Sequence, residues 1–171
     1  MQPASSQTPS PRAVPAWKTA VFKNRGLLLA PAAIALVVFG RPTLASAIVG
    51  VLIAAVGEAL RIWAVGYSGV TTRANVVVAP ALVTAGPYSR VRNPLYVGNA
   101  ITALGFWVAF SGALSVIESS LLLVLVVACL VMVYGIIIPV EETFLSEQFG
   151  AAYTRYREQV PALIPGARRH A

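Results

Sequence analysis

Arg92, Asn93 and Pro94 form the first segment whose residue types could do chemistry. Asparagine and proline are typical of the N-cap and the first position of a helix, so this pair predicts that a helix begins at Pro94. The N-terminus of a helix carries unpaired N–H groups and a partial positive charge, and it therefore favours an anion such as a carboxylate. The guanidinium of Arg92 is expected to add a bidentate clamp on the same anion.

Three further residues surround this helix start. Tyr88 precedes it, whereas Tyr96 and Gly98 fall within its first turns, and Gly98 allows a ligand or a neighbouring helix to approach closely. The same residue types also occur where an ordinary transmembrane helix begins, with the arginine among the lipid headgroups. On its own, the segment therefore predicts either an anion site or a structural helix start.

Glu141 and Glu142 form the second segment and directly follow a long apolar run. A helix places adjacent residues about 100° apart, so only one of the two carboxylates points easily into a shared pocket. The other is expected to bond with a hydroxyl, an arginine or a backbone donor. The alternative is that both are solvated acids at a membrane boundary.

Glu58 and Arg61 lie near the end of an apolar run, one helical turn apart. An ionisable side chain at the centre of a bilayer costs roughly 2.5–3.5 kcal/mol, so such residues either pair or serve a function. Their spacing predicts an ion pair on one helix face. They are candidate substrate residues, although Arg61 is equally compatible with a side chain that extends to the headgroups.

The remaining composition limits the chemistry. Hydrophobic residues make up 57% of the 171 residues and charged residues only 11%, against roughly 25% charged in soluble proteins, which predicts an integral membrane protein. The net charge is +7, and the basic residues lie beside apolar runs. These residues are expected to contact membrane headgroups, so no nucleic-acid partner is expected. The chain has one cysteine, Cys129, and one histidine, His170, so neither a disulfide nor a metal site is expected.

Four apolar runs are expected to position these residues. The predicted fold class is all-α, an integral membrane protein with about four transmembrane helices and a cytoplasmic helical cap at the C-terminus. Residues 1–25, which are rich in proline, serine and basic side chains, are predicted to be disordered, and residues 26–171 to form one membrane-embedded domain. Within it, the predicted spans are about 26–40, 44–66, 94–112 and 116–139, and the cap is 140–165. In the cap, Gly150 is expected to end the first helix and Pro161 the second, with Tyr153 and Tyr156 as packing residues.

The distribution of basic residues predicts the orientation. Basic residues are concentrated in the N-terminal segment, in the connection between the second and third apolar runs, and in the C-terminal tail. Both termini and both candidate segments are therefore expected on the cytoplasmic face. The apolar stretch 76–83 is too short to cross a bilayer and is expected at the interface or over the mouth of the site. Residues 45–47 are similar to a signal-peptide cleavage site, but the long basic lead-in and the later apolar runs favour a retained span.

The combination of segments resembles a known family. GPYSRVRNPLYVGN, a hydrophobic hairpin and EETFLSEQFGAAYTRYREQVPALIP resemble the isoprenylcysteine carboxyl methyltransferase family, whose wider group includes the phospholipid methyltransferases. That family has a Gly-Pro-Tyr turn, an Arg-His-Pro-x-Tyr-x-Gly segment, a Glu-Glu pair and a Phe-Gly-x-x-Tyr-x-x-Tyr tail. The likeness covers about residues 57–165, and GEALRIWAVGY is similar to the family's preceding helix. The family's histidine is Asn93 here, which retains capping and donor ability but has no titratable imidazole; residues 71–83 match poorly.

The resemblance implies a membrane methyltransferase that uses S-adenosyl-L-methionine as its cofactor. Its partners would be the membrane and a lipid or prenylated small-molecule acceptor, with O- and N-methylation both open. A sterol-reductase-like NADPH enzyme and a non-enzymatic transporter subunit or scaffold are the alternatives; the chain is short for the first and lacks the internal repeats expected of the second. The alanine- and valine-rich composition suggests a bacterial inner membrane. The implied cofactor-binding residues are Tyr88, Arg92, Asn93, Pro94, Tyr96, Gly98, Glu141 and Glu142. Arg92 and Glu142 are the catalytic candidates, and Glu58 and Arg61 are the candidate substrate-binding residues.

Overall fold

The computed structural model describes residues 24–69 and 81–165, and within them the fold is all-α with no strand. Within these residues, five α-helices follow one another, with a short 3₁₀ helix before the third. The α-helices are α1 Arg25–Phe39, α2 Leu44–Ser68, α3 Pro94–Phe110, α4 Val116–Phe149 and α5 Ala151–Gln159, and the 3₁₀ helix is Gly86–Ser89.

α2 and α3 pack against each other in opposite directions along a row of glycines. An added Cβ at Gly50 would lie 2.4 Å from the Gly105 carbonyl oxygen, and one at Gly57 would lie 2.6 Å from the Gly98 carbonyl oxygen. The glycines are spaced seven residues apart on each helix, so each pair returns to the same face. Small residues let helix backbones approach closely, which is a common way of joining helices in a bilayer.

α4 forms the centre of the hydrophobic core. Ala32 and Leu36 of α1 pack against a buried face of α4 that includes Val126, Val133 and Ile137. Ile137 is completely buried and Val133 is 1% exposed. The buried positions recur at helical spacing, so one face of α4 is held against the other helices while its remaining faces point outward.

α3 is joined to α4 near both of its ends. At one end, the Trp107 indole Nε1 donates a hydrogen bond of 2.9 Å to the Ser119 carbonyl oxygen. At the other, the rings of Tyr96 and Tyr134 lie with their centroids 4.7 Å apart. These contacts place the N-terminus of α3 beside the C-terminal part of α4, where the candidate site residues lie.

The helix termini follow local sequence signals. Thr43 and Ser46 form a reciprocal capping box at the start of α2, and Ser115 and Glu118 form another at the start of α4. Glu118 is exposed, and its carboxylate accepts hydrogen bonds from the Ser115 N–H and hydroxyl. Gly150 separates α4 from α5 with a φ of 52°, a conformation that favours glycine. The predicted ends of the two helices at Gly150 and Pro161 agree with the observed boundaries.

Among the helices of residues 24–69 and 81–165, two are long and apolar enough to cross a membrane, namely α2 and α4. Only 17% of the most apolar part of α2 is buried, too little for the core helix of a soluble protein. Large apolar side chains such as Val51, Ile62 and Val131 are at least 60% exposed. Such a continuous apolar exterior is typical of a surface that faces lipid. α1 and α3 are apolar but shorter.

The observed helices agree with the predicted apolar runs to within two residues at most boundaries. The main difference lies in α4, where the predicted span ends at residue 139 but the helix continues through Pro139 to Phe149. The hydroxyl of Thr143 donates to the Pro139 carbonyl oxygen at 2.8 Å. The glutamate pair therefore extends from the same continuous helix that forms the core. Residues 1–23, 70–80 and 166–171 lie outside the described residues, including most of the stretch 76–83.

Candidate functional site

The 3₁₀ helix Gly86–Ser89 sets the direction of the chain that enters α3. Gly86 has a φ of 61°, and an added Cβ there would lie 2.6 Å from the ring of Tyr67 on α2. Ser89 Oγ donates to the Gly86 carbonyl oxygen at 2.7 Å and closes the turn. The predicted Gly-Pro turn is thus a compact element, packed on α2, that fixes the positions of Arg92 and Asn93.

Arg92 bonds to two separate elements at once. Its Nε and Nη2 donate to Oε1 of Glu142 at 3.0 and 2.7 Å. Its Nη1 donates to the carbonyl oxygens of Arg157 and Val160 at the end of α5, at 3.0 and 2.5 Å. The Arg92 and Glu142 side chains are only 11% and 15% exposed. Arg92 therefore fastens the end of α5 to the glutamate pair on α4.

The backbone after α5 runs alongside the start of α3. Arg92 N–H donates to the Pro161 carbonyl oxygen at 2.8 Å, and Asn93 N–H donates to the Ala162 carbonyl oxygen at 3.1 Å. Asn93 occupies the predicted N-cap position, but its side chain makes no capping bond. Its Nδ2 instead donates to the Ala162 carbonyl oxygen at 3.2 Å. Asn93 thus holds the segment that follows α5, a role that does not require an imidazole.

Glu141 faces a different set of side chains from Glu142. The Tyr96 hydroxyl donates to Oε1 of Glu141 at 2.7 Å. Burial raises the pKa of Tyr88, and the Glu141 carboxylate raises that pKa further, while a hydrogen bond with Ser68 lowers it. The two carboxylates therefore point in different directions, as adjacent helical positions require. One bonds to an arginine and the other to a phenol.

Two tyrosines of α5 are buried against the glutamate pair. Burial raises the pKa of Tyr153 to about 12, with the Glu142 carboxylate adding to the effect. Burial likewise raises the pKa of Tyr156, whose hydroxyl donates to the Tyr88 carbonyl oxygen at 2.7 Å. These phenols remain protonated at neutral pH. They act as hydrogen-bond donors and packing groups, and not as bases.

Glu58 and Arg61 form the predicted ion pair on α2. The aliphatic part of Arg61 covers Gly98, since an added Cβ there would lie 2.5 Å from Arg61 Cγ. Arg61 Nε and the Tyr134 hydroxyl are buried, and within the described residues neither makes a hydrogen bond. The Asn99 side chain and the charge of Arg61 both act on the Tyr134 hydroxyl. The Glu58–Arg61 pair thus lies beside the start of α3.

A cavity of about 430 Å³ lies beside Glu142 on the face of α4 that meets α5. This volume falls within the roughly 300–1,000 Å³ typical of small-molecule sites. Arg157 Nε lies 4.0 Å from Oε2 of Glu142 across this region. The other lining residues are Pro139, Thr143, Ser146 and Glu147.

The structure brings most of the predicted site residues together. Pro94 is buried at the helix start, and Gly98 lies beneath Arg61. One connected group contains the remaining cofactor-binding candidates, which are Tyr88, Arg92, Asn93, Tyr96, Glu141 and Glu142. Sequence reasoning missed Tyr134, whose only signal is a single hydroxyl inside a long apolar run. It also read Tyr153 and Tyr156 as packing residues, which their burial bears out, without finding their contacts to the site.

The sequence pattern of the phospholipid methyltransferase family matches residues 45–152, which run from α2 into α5 and include both candidate segments. The chain belongs to this family. The family resemblance seen in the sequence motifs is confirmed.

Two curated proteins are similar in sequence to this chain. The chain is 34% identical over 116 residues to the cobalt-zinc-cadmium resistance protein CzcN of Cupriavidus metallidurans, an alignment that covers 68% of this chain and 46% of that protein. It is 38% identical over 84 residues to the protein-S-isoprenylcysteine O-methyltransferase of Schizosaccharomyces pombe, which covers 49% of this chain and 33% of that protein. The chain spans less than half the length of these curated relatives.

Proposed function

We propose that this protein is a membrane methyltransferase that uses S-adenosylmethionine to methylate a lipid or another amphipathic acceptor. Family membership supports methyl transfer, and the isoprenylcysteine named in one relative supports an amphipathic acceptor. The observation that carries the proposal is the hydrogen bond of 2.7 Å between Tyr96 and Glu141. It joins the motif at the start of α3 to the glutamate pair on α4, so the two segments form one site.

S-Adenosylmethionine is proposed to bind between the start of α3 and the glutamate pair. When bound, it supplies an electrophilic methyl group on a sulfonium cation. The negative charge of Glu141 and the faces of the nearby tyrosines favour a cation. Glu142 lines the cavity, and its carboxylate is suited to accept a hydrogen bond from a sugar hydroxyl. The proposed binding residues are Tyr88, Asn93, Pro94, Tyr96, Gly98, Glu141 and Glu142.

Arg92 is proposed to act through Glu142. The sequence predicts that Arg92 clamps the cofactor carboxylate directly, but its guanidinium already bonds to Glu142 and to two carbonyl oxygens of the α5 terminus. These bonds fix the orientation of Glu142 and hold α5 over the site. Arg92 is therefore assigned as a positioning residue, and Glu142 as the residue that contacts the cofactor.

The described site fits alkylation of an oxygen nucleophile; an amine acceptor, which is protonated at neutral pH, would first pass its proton to a carboxylate such as Glu141. A carboxylate acceptor is already deprotonated at neutral pH and needs no base, which suits a site whose phenols have raised pKa values. The contributions left to the protein are alignment of the two reactants and exclusion of water. Tyr96 and Glu141 align the reactants in this scheme, while the cap formed by α5 and residues 160–163 excludes water.

The four apolar helices are proposed to span the membrane with both termini in the cytoplasm, in a bacterial inner membrane. The exposed apolar faces of α2 and α4 support insertion, and the basic residues beside the site segments support their cytoplasmic placement. The acceptor then enters sideways from the cytoplasmic leaflet, and the cap closes the site toward water.

A labelled-methyl assay tests the proposal. Membranes containing the full chain are incubated with S-adenosylmethionine labelled at the methyl group, and with either a prenylated cysteine or phosphatidylethanolamine. Wild-type protein and the Glu158→Gln control, altered at an exposed position on α5, are expected to label the lipid extract, and Glu141→Gln to lose at least nine-tenths of that labelling. Absence of labelling by correctly folded wild-type protein, with binding of NADPH in its place, would instead favour a reductase.

A further inference from the structure

Two buried polar atoms beside the proposed site make no hydrogen bond of normal geometry within the described residues, although the Asn99 side chain interacts with one of them, the Tyr134 hydroxyl. They are Nε of Arg61 on α2 and the hydroxyl of Tyr134 on α4. Tyr134 is only 8% exposed. A polar group buried without a partner is costly, and native proteins keep such groups mainly where a ligand or a function requires them. These two atoms therefore point to a ligand that supplies the missing hydrogen bonds.

The two residues lie beside the residues proposed to align the reactants. The stem of Arg61 crosses Gly98 in the second turn of α3. The Tyr134 ring contacts the Tyr96 ring, with 4.7 Å between their centroids, and Tyr96 in turn bonds to Glu141. A group bound by Arg61 and Tyr134 would therefore lie next to Tyr96 and within the same site.

The chemistry of the two groups favours an anionic oxygen ligand. A guanidinium and a phenol both donate, and hydrogen bonds from such donors to carboxylate or phosphate oxygens are stronger than those to neutral groups. Glu58 already pairs with Nη1 of Arg61, which lowers the cost of holding the arginine near the bilayer. Nε of Arg61 is not used by that pair.

The surroundings of Arg61 suit an amphipathic molecule. Ile62 and Trp63, which follow it on α2, are 66% and 51% exposed on the apolar exterior. A lipid tail lying along this surface would bring its headgroup to the level of Arg61. Indole rings such as Trp63 are favoured at the depth where headgroups meet acyl chains.

We propose that Arg61 and Tyr134 bind the anionic group of the methyl acceptor, either the carboxylate of a prenylated cysteine or the phosphate of a phospholipid. This proposal rests on the proposed function, because it names the acceptor end of the same site. Arg61 and Tyr134 are thus acceptor-binding residues, distinct from the residues that hold S-adenosylmethionine.

Direct binding measurements without S-adenosylmethionine test the proposal. The detergent-purified full chain is titrated with S-farnesyl-N-acetylcysteine, with its uncharged carboxamide, and with phosphatidylethanolamine in mixed micelles. At least one of the two probes that carry an anionic group is expected to bind. If the carboxylate binds, it should bind at least tenfold more tightly than the carboxamide; if only the phospholipid binds, it should bind at least tenfold more tightly than diacylglycerol, which lacks the phosphate. Failure of both probes, or equal affinity for a bound probe and its uncharged counterpart, would overturn the proposal.

Tyr134→Phe and Arg61→Gln separate binding from folding. Tyr134→Phe removes an unsatisfied buried hydroxyl, so it should keep or raise the melting temperature while weakening the anionic probe at least fivefold. Arg61→Gln should weaken it at least tenfold. The matched control is Tyr67→Phe, which removes a hydroxyl from a half-exposed tyrosine on the same helix as Arg61 and should bind like wild type. Unchanged affinity in a folded Tyr134→Phe variant would contradict the assignment.

The affinity for S-adenosylmethionine, measured in the same variants, distinguishes the two proposals. It should change by less than about threefold in Tyr134→Phe, since the cofactor residues are intact. Wild-type protein that binds the anionic probe but not S-adenosylmethionine would refute the proposed function alone. Wild-type protein that binds S-adenosylmethionine but shows no selectivity for anionic probes would refute only the acceptor site.

Discussion

Replacing Arg92 with alanine is expected to release α5 from the rest of the protein. The variant loses the two bonds to Glu142 and the two bonds to the carbonyl oxygens of Arg157 and Val160. It also leaves Glu142, which is 15% exposed, as a largely buried carboxylate without its main partner. Removing one member of such a pair costs about 3–5 kcal/mol.

That cost translates into a large change in the opening of the cap. Since about 1.4 kcal/mol corresponds to a factor of ten, the lower limit raises the population of detached α5 by roughly a hundredfold. Arg155 and Arg157 lie within α5 and are exposed, so trypsin reports directly on this opening. In Arg92→Ala, cleavage at these two sites should accelerate by about two orders of magnitude in detergent, as followed by mass spectrometry.

Two variants serve as controls for this experiment. Arg90→Ala removes an exposed arginine two residues away and should be cleaved like wild type. In the double variant with Arg92→Ala and Glu142→Ala, part of the protection should return, because no buried carboxylate remains without its partner. Equal cleavage rates in Arg92→Ala and Arg90→Ala would refute the conclusion that Arg92 fastens the cap.

Three further predictions follow from the packing and from the buried tyrosines. Gly105→Ala should lower the free energy of unfolding by about 1–3 kcal/mol, since its Cβ would lie 2.5 Å from the Ala54 nitrogen. Gly135→Ala, whose Cβ would have nothing within 4 Å, should be neutral or stabilising. Denaturant titration in micelles checks both variants, and equal losses of stability would contradict the α2–α3 packing. Asn93→Ala removes the hydrogen bond from Nδ2 to the Ala162 carbonyl oxygen, which costs about 0.5–1.5 kcal/mol of stability. Amide hydrogen exchange at residues 160–163 should therefore become about two- to tenfold faster, and unchanged exchange rates would show that this bond does not hold the segment. The pKa of Tyr153 is raised from 10 to about 12 in the folded protein, so its stabilising contribution is complete below pH 10 and is lost as the pH rises through about 12. The melting temperature should fall over this pH range in wild type and fall less in Tyr153→Phe. Identical melting profiles in the two proteins would argue against a buried neutral phenol.

The helices were largely predictable because each is marked by local signals. Long apolar runs located α2 and α4, the Asn-Pro pair located the start of α3, and Gly150 located the break before α5. The extent of α4 was not predictable in the same way. Proline lacks the N–H that a helix interior uses, so Pro139 suggested a boundary, yet the helix continues to Phe149.

The sequence predicted which residues lie close together in the candidate site, but not which of them bond to each other. The motif segments identified Tyr96, Arg92 and the glutamate pair, and the separation of the two carboxylates followed from helix geometry. The partner of each carboxylate depends on tertiary packing, so the bonds Arg92–Glu142 and Tyr96–Glu141 required the structure. The carbonyl oxygens that occupy Arg92 carry no signal in the sequence at all, because every residue has one.

Tyr134 shows a further limit of sequence reasoning. Its position in an apolar run indicates burial, which the structure confirms. Nothing in the run indicates that its hydroxyl lies near Arg61, which is more than seventy residues earlier. Contacts of this kind arise only when α2 and α4 are brought to the same end of α3.

The most direct test of the central claim is the affinity of the detergent-purified full chain for S-adenosylmethionine, measured by calorimetry with Tyr96→Phe beside wild type. Because the Tyr96 hydroxyl holds the Glu141 carboxylate that is proposed to favour the sulfonium cation, wild-type protein should bind and Tyr96→Phe should bind about tenfold more weakly, which corresponds to about 1.4 kcal/mol. Folded wild-type protein that does not bind S-adenosylmethionine, or binding that Tyr96→Phe leaves unchanged, would contradict the account.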